Sequence, residues 1–170
     1  IYGFYITLHD WDGFTEMKFV GLGNYIALFQ TSEIYEVISH NLYYAVGTVV
    51  GKNILAIILA LLLNRQFKGL TVIRTIYFLP AVMSFVAIGL LWSWLYNPTF
   101  GLINSILSKF GLVTDPILFL GDPKLAMPSL ILVDIWRWTG YHAVIILAGL
   151  QTVPNDLYES ADLDGATGLQ

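Results

Sequence analysis

The sequence contains no cysteine, and only 12% of its 170 residues are charged. The first absence excludes disulfide bonds, thiolate metal sites and a cysteine nucleophile. The second is unusual, because about 25% of the residues in an average soluble domain are charged. In contrast, 56% of the residues are hydrophobic. This imbalance indicates a protein whose apolar side chains face lipid.

Several motifs that carry enzyme chemistry are also missing. The sequence has no GxSxG, HExxH or CxxC, so nucleophilic and metal-assisted hydrolysis have no support. It has no GxxxxGK[ST] phosphate-binding loop, so a partner chain must bind ATP if the protein uses ATP. The net charge of -4, without a basic run, gives no indication of a nucleic-acid partner.

Three apolar stretches are each long enough to cross a bilayer, which takes about 20 residues. They cover residues 39–63, 75–96 and 126–150. We therefore expect an all-α integral membrane protein, with residues 1–170 forming a single transmembrane domain. The chain begins at Ile1 with a short apolar segment and stops at Gln170 without a capped element. We expect a fragment that holds three complete spans and the end of a preceding helix.

A basic cluster between the first two spans predicts the orientation. Arg65, Lys68 and Arg74 lie within one short connection, and cytoplasmic loops are enriched in such residues. Residues 97–125 are then outside, and the tail from residue 151 onwards is cytoplasmic.

Local patterns predict further features of the spans and loops. Gly47 and Gly51 form a GxxxG pair, which allows close helix packing. Pro80 predicts a kink in the second span. Apolar residues at helical spacing within residues 101–112 predict a short surface helix. Three aromatic residues at the outer end of the second span fit an interfacial belt: Trp92, Trp94 and Tyr96.

Charged side chains inside a span usually face a partner or a wet cavity. Asp134 and Arg137 are three residues apart, so they form either a structural ion pair or part of a polar stripe. The further members of the stripe are Trp138, Tyr141 and His142. Such an aromatic and polar stripe would suit a sugar. Lys52 in the first span either pairs with an acid on another helix or extends towards the membrane surface.

A polar group near the start of the chain invites a metal-site interpretation. His9, Asp10 and Asp12 are close in sequence, but their spacing matches no recognised set of ligands. We therefore expect no metal site.

The tail has the pattern of a short amphipathic helix. Pro154 suits the first turn of a helix, and Gly165 suits its end. Between them, Leu157, Tyr158 and Ala161 make a narrow apolar stripe surrounded by acidic residues. So short a helix is marginal alone and needs a surface to dock against.

The segment ESADLDGA at residues 159–166 resembles the EAAxxDGA signature of inner-membrane components of binding-protein-dependent ABC importers. Ser160 replaces an alanine of the signature, which exchanges one small residue for another. Further segments resemble the sugar-importing branch in family order: NYIALF (24–29), LALLLNR (59–65), IRTIYFLP (73–80), LWSWLYNPTFGLIN (91–104) and LAGLQTVPNDLYE (147–159).

The resemblance implies the permease fold of about six helices and a multi-pass protein of a bacterial or archaeal cytoplasmic membrane. It implies a transport subunit without catalysis or a cofactor of its own, since ATP and magnesium bind the partner ATPase subunits. The other implied partners are a second permease subunit and an extracytoplasmic solute-binding protein. The substrate is a sugar or related carbohydrate, and its identity stays open because the fifth and sixth helices are missing.

By the family pattern, the tail helix is the coupling helix that docks on the ATPase. Its candidate residues are Leu157, Tyr158, Glu159, Ala161, Asp164 and Gly165. The alternative function is a membrane-embedded enzyme or a channel that uses Asp134, Arg137 and His142. An enzyme would need more acids or histidines within the spans, and a channel would not require a docking helix.

Overall fold

The computed structural model describes residues 2–64 and 69–166. Within them, the elements in chain order are α1 (Tyr2–Thr7), β1 (His9–Asp10), β2 (Lys18–Phe19), α2 (Gly23–Gln30), α3 (Ser32–Leu63), α4 (Leu70–Val82), α5 (Phe85–Leu95), α6 (Leu102–Lys109), α7 (Pro123–Leu150) and α8 (Asn155–Leu163). The chain divides into two compact units, Ile1–Tyr43 and Tyr44–Gln170.

The first unit contains a small antiparallel hairpin that the sequence pattern does not predict. Strands β1 and β2 pair His9 with Phe19 and Asp10 with Lys18. Asn24 at the start of α2 donates hydrogen bonds to the carbonyls of Thr7 (3.0 Å) and His9 (2.9 Å). Each strand has only two residues, which is too short for the alternation that identifies a strand in a sequence.

The second unit contains the second and third predicted spans and most of the first. Helices α3 and α7 are each long and apolar enough to cross a membrane, and α4 with α5 makes a third span if the bent pair counts as one. Helix α3 ends at Leu63 as expected but begins seven residues before the predicted start, and α7 begins three residues early. Hydropathy locates the apolar part of a helix, whereas polar residues extend the helix beyond it.

The second predicted span is not one continuous helix. The chain bends by 100° between α4 and α5. Met83 and Ser84 between them are extended, and the hydroxyl of Ser84 accepts a hydrogen bond from the Ala87 amide (3.2 Å), which caps α5. The bend therefore lies three residues beyond Pro80, which remains inside α4. Pro80 removes one backbone donor from α4. The helix nevertheless continues to Val82 and ends where Ser84 can cap α5.

The basic connection is shorter than the sequence indicates. Arg74 belongs to α4, and its Nη2 donates to the carbonyl of Leu63 at the end of α3 (3.3 Å). Arg65 and Lys68 lie outside the described residues.

The predicted surface helix is confirmed as α6, and the buried Asn104 within it holds the segment that follows. Its amide accepts from the Ile117 N–H (2.9 Å) and donates to the Ile117 carbonyl (3.0 Å).

Of the three residues predicted to form an aromatic belt, only Trp94 is exposed, and the other two pack against neighbouring elements. Trp94 is exposed, as a belt residue should be. Tyr96 is only 4% exposed, and its hydroxyl donates to the carbonyl of Ser129 (3.2 Å). Trp92 packs edge-on against Trp136 of α7, with the ring centroids 5.4 Å apart. Tyr96 and Trp92 thus join α5 to α7 rather than anchoring the protein at the membrane surface.

Helices α3, α4 and α7 meet in a small core. Ala60, Leu63 and Leu147 are buried, and Leu70 and Ile73 of α4 pack against them. In lipid, close van der Waals packing rather than the hydrophobic effect stabilises such a contact.

Candidate functional site

The GxxxG pair places α3 directly against α7. A Cβ on Gly47 would lie 2.9 Å from Cδ1 of Ile131, and a Cβ on Gly51 would overlap Cδ1 of Ile135. Both glycines therefore make room for isoleucine side chains of α7, which confirms the predicted packing role. This close approach brings the polar residues of the two helices within reach of each other.

Asp134 of α7 is bound by two residues of α3. Lys52 Nζ lies 3.2 Å from Oδ1 of Asp134, and the hydroxyl of Tyr44 donates to Oδ2 over 3.2 Å. The side chains of Lys52 and Asp134 are 17% and 20% exposed. Both oxygens of the carboxylate thus have a partner. Of the two arrangements predicted for Lys52, the structure shows the pair with an acid on another helix.

Arg137 does not pair with Asp134. Its side chain turns to the break between α4 and α5, where Nη2 donates to the Met83 carbonyl (3.2 Å). The guanidinium carbon lies 3.5 Å from the centroid of the Phe85 ring and 4.9 Å from that of Trp138. The intrahelical ion pair, one of the two arrangements considered, is therefore wrong, because each charge has a partner on a neighbouring helix.

The remaining stripe residues form a chain of aromatic contacts along α7. Trp138 and His142 each meet Tyr141 edge-on, with ring centroids 5.7 Å and 5.8 Å apart. Tyr141 is 41% exposed. His142 Nδ1 lies 2.9 Å from the Trp138 carbonyl, which fixes the orientation of the imidazole. Of the five predicted residues, Tyr141 offers the most accessible surface to a partner or ligand.

Helix α8 has the predicted position and a defined end. Pro154 directly precedes it, and Gly165 has a φ of +76°. The Ala166 amide donates to the Ala161 carbonyl (2.9 Å), as in a Schellman motif. The side chains of Leu157, Tyr158, Glu159 and Asp164 are exposed, and that of Ala161 is half-buried. The helix thus presents both apolar and acidic groups without a covering surface among the described residues.

Comparison with known proteins shows the family. Residues 52–170 match the model of the "Binding-protein-dependent transport system inner membrane component" family. The chain belongs to this family. The match covers Lys52, the α7 stripe and α8, so all the candidate site residues lie within the family region.

Two relatives are similar to this chain over nearly its whole length. The probable ABC transporter permease protein YurN of Bacillus subtilis (strain 168) is 38% identical over 98% of the chain. The trehalose/maltose transport system permease protein MalF of Thermococcus litoralis is 35% identical over 96% of the chain. The chain spans 58% of the length of the first and 55% of the second.

A solved structure has the same fold. The crystal structure of a bacterial ABC transporter involved in the import of the acidic polysaccharide alginate matches with a TM-score of 0.79 and 31% identity. The match covers 88% of this chain and 52% of that chain. A second match, with a TM-score of 0.76, 30% identity and coverage of 86% and 51%, is the bacterial alginate ABC transporter in complex with a periplasmic protein bound to an alginate pentasaccharide.

The HDWDG segment of this permease-family chain forms a turn. Oδ1 of Asp12 accepts from the amides of Phe14 (2.9 Å) and Thr15 (2.8 Å) and from the Thr15 hydroxyl (2.8 Å). These bonds lower the pKa of Asp12 from 3.8 to about 2, with the Phe14 amide making the largest contribution. His9 Nδ1 lies 2.8 Å from the Tyr5 carbonyl. Asp12 and His9 thus each have a structural role within the first unit.

Sequence reasoning missed three residues that define this region. Tyr44 is the second partner of Asp134, and Met83 and Phe85 are the partners of Arg137. The pairing of Lys52 with Asp134 could have been predicted, because Asp134 is the only acid in the three predicted spans. No comparable signal exists for Arg137, which contacts a backbone carbonyl and a ring face.

Proposed function

We propose that the chain is part of the permease subunit of an ABC importer that carries a carbohydrate across the cytoplasmic membrane. The observation that carries this proposal is the family match over α7 and α8, which includes the exposed tail helix. The carbohydrate class is supported by the similar proteins, whose names refer to trehalose, maltose and alginate.

In this proposal, the chain itself neither binds nor hydrolyses ATP. An extracytoplasmic binding protein delivers the sugar to this subunit and a second permease subunit, and ATPase subunits on the cytoplasmic side bind ATP and magnesium. Helix α8 docks on the ATPase through its exposed face, with Leu157 and Tyr158 as apolar contacts and Glu159 as a polar one. A short helix with exposed apolar side chains gains stability from such a docking surface.

The substrate pathway runs along the stripe of α7. Tyr141, with Trp138 and His142 beside it, offers aromatic faces on which the apolar face of a sugar ring can stack. The same residues supply hydrogen-bonding groups for sugar hydroxyls. Asp134 and Arg137 support this surface from partly buried and buried positions, since both are bound by neighbouring helices.

The enzyme alternative has less support. General acid–base chemistry needs a group that is free to exchange a proton with a substrate. Asp134 is bound through both oxygens by Lys52 and Tyr44, and one nitrogen of His142 faces a backbone carbonyl. The channel alternative leaves the exposed helix α8 without a role.

The test uses the complete transporter purified from membranes and reconstituted in liposomes. We expect an ATPase subunit to co-purify with this chain, and we expect sugar-loaded binding protein to stimulate ATP hydrolysis and sugar uptake together. Binding protein without sugar is the control. Uptake that proceeds without ATP, or a chain purified without any ATPase, would contradict the proposal.

A further inference from the structure

We infer that Arg137 is a positioning residue that holds the break between α4 and α5 against α7, rather than a group that touches the substrate. Its role in transport rests on the function proposed above, whereas its structural role does not.

Arg137 contacts both sides of the break. Met83, whose carbonyl accepts from Nη2, follows the last residue of α4, and Phe85, whose ring lies under the guanidinium, is the first residue of α5. Only Ser84 lies between them. A single side chain of α7 therefore bridges the two halves of the bent span.

The break needs such a contact because its backbone lies outside both helices. Backbone groups at membrane depth are costly unless protein or a wet cavity satisfies them. The guanidinium supplies a donor to the Met83 carbonyl, and its positive charge suits the C-terminal end of α4. The face of the Phe85 ring attracts the same cation. A methionine at this position, which has neither a donor nor a charge, would provide none of these three interactions.

The backbone of α4 is also unusually close to α7 at this level. A Cβ on Gly140 would overlap the carbonyl oxygen of Tyr77, so α4 and α7 touch through their main chains. Gly140 lies three residues after Arg137 and therefore on the same broad face of α7. This contact fixes α4 just before the break, and Arg137 fixes the break itself.

Burial separates Arg137 from the substrate path. The residue is only 6% exposed, and its Nε is buried and has no hydrogen-bond partner among the described residues. Tyr141, one turn further along α7, is far more accessible. A substrate that contacts Tyr141 therefore senses Arg137 only through the position of the helices.

The first experiment measures the bend directly in the complete transporter. Spin labels are attached to cysteines at Val72 and Leu90, which are exposed positions on α4 and α5, and residues 1–170 contain no other cysteine. We expect Arg137→Met to shift or broaden the distance distribution between the labels, and Arg137→Lys to restore it in part. Lys124→Met, which removes an exposed cation of the same helix, is the control and should change nothing.

The second experiment separates positioning from substrate contact. We expect Arg137→Met to lower the maximal uptake rate by about tenfold, while the half-saturating concentration of sugar-loaded binding protein changes by less than about twofold. If Arg137→Met fails to assemble, Phe85→Leu removes one of the two contacts and should shift the same distances to a smaller extent.

The outcomes are distinct. Unchanged label distances in Arg137→Met, or in Phe85→Leu where that variant replaces it, would overturn the inference. So would a raised half-saturating concentration with an unchanged maximal rate, which would make Arg137 a substrate contact. The distance measurement needs no transport, so an error in the proposed function would appear separately, as absent ATP-driven uptake in the unmodified protein.

Discussion

At the scale of single residues, the ion pair between Lys52 and Asp134 joins two helices that are otherwise mainly apolar. A charge at membrane depth is costly alone, but a partner and a hydrogen bond from Tyr44 offset much of that cost. Removing one partner leaves the other charge unpaired. Removing both leaves only a change in packing.

This asymmetry gives a prediction for Lys52 and Asp134. We expect Lys52→Met and Asp134→Leu, each made alone, to destabilise the subunit by about 3 kcal/mol, and the double variant to be much closer to the original protein. The measurement is the thermal unfolding midpoint of the purified transporter. Tyr44→Phe, which removes only a hydroxyl, is the comparison and should have a smaller effect. Equal and additive losses in the single and double variants would show that the pair does not act as a unit.

Tyr141 allows a test of the proposed substrate path. We expect Tyr141→Ala to reduce sugar uptake while the subunits still assemble, because the exposed ring offers a stacking surface. Tyr141→Phe keeps the ring and should retain most of the uptake. The measurements are uptake in liposomes and subunit composition after purification. Normal uptake in Tyr141→Ala, together with labelling of position 141 by a lipid-soluble probe, would assign this residue to lipid or helix packing.

The residue types of the site were predictable from sequence, but their pairing was only partly so. Charges inside apolar spans identified Lys52, Asp134 and Arg137, and the three-residue spacing of Asp134 and Arg137 allowed a pair on one helix. The structure pairs Asp134 with Lys52 because the glycines of α3 bring that helix close to α7. Which charges meet thus depends on the packing of helices distant in sequence, and a local spacing rule does not contain that information.

At the scale of elements, hydropathy located the spans and turn residues located α8, but the break at Met83 and Ser84 was not expected. Pro80 indicated the correct region. The exact position depends on the cap from Ser84 and on Arg137, which comes from a helix more than fifty residues away. Local sequence therefore predicts that this span is weakened, whereas tertiary contacts decide where it ends.

The contact between α4 and α7 gives a prediction at this scale. We expect Gly140→Ala to destabilise the subunit by about 1–3 kcal/mol, because the new methyl group would overlap the Tyr77 backbone, which cannot move aside as a flexible side chain can. Gly149→Ala is a matched control on the same helix, since a Cβ there meets nothing within 4 Å. The measurement is again the thermal unfolding midpoint. Similar midpoints for the two variants would contradict the close contact.

At the scale of the whole molecule, the orientation in the membrane remains a prediction from the basic cluster. We expect cysteines at positions 68 and 160 to be protected from an impermeant thiol reagent added outside intact cells, because both are predicted to be cytoplasmic. A cysteine at the exposed Asp115, in the predicted outer segment, is the positive control and should react. Reaction at position 68 or 160 in intact cells would reverse the topology.

Under the proposed function, we expect coupling between ATP hydrolysis and transport to depend on the end of α8. Gly165 has a φ of +76°, and a Cβ there would have open space around it. A substitution therefore acts through the backbone conformation and not through a steric clash. Valine is strongly disfavoured at positive φ, by about 1–2 kcal/mol or more, whereas asparagine is tolerated there.

We therefore expect Gly165→Val to weaken attachment of the ATPase and to abolish uptake, and Gly165→Asn to retain most of both. Glu159→Ala should give a milder form of the valine defect, because it removes an exposed polar contact but leaves the turn intact. The measurements are ATPase retention on the purified membrane subunits and ATP turnover stimulated by loaded binding protein. Loss of uptake in Gly165→Val with normal retention and normal turnover would place this turn in the substrate path. Equal defects in the valine and asparagine variants would show that the glycine itself, and not the left-handed backbone, is required.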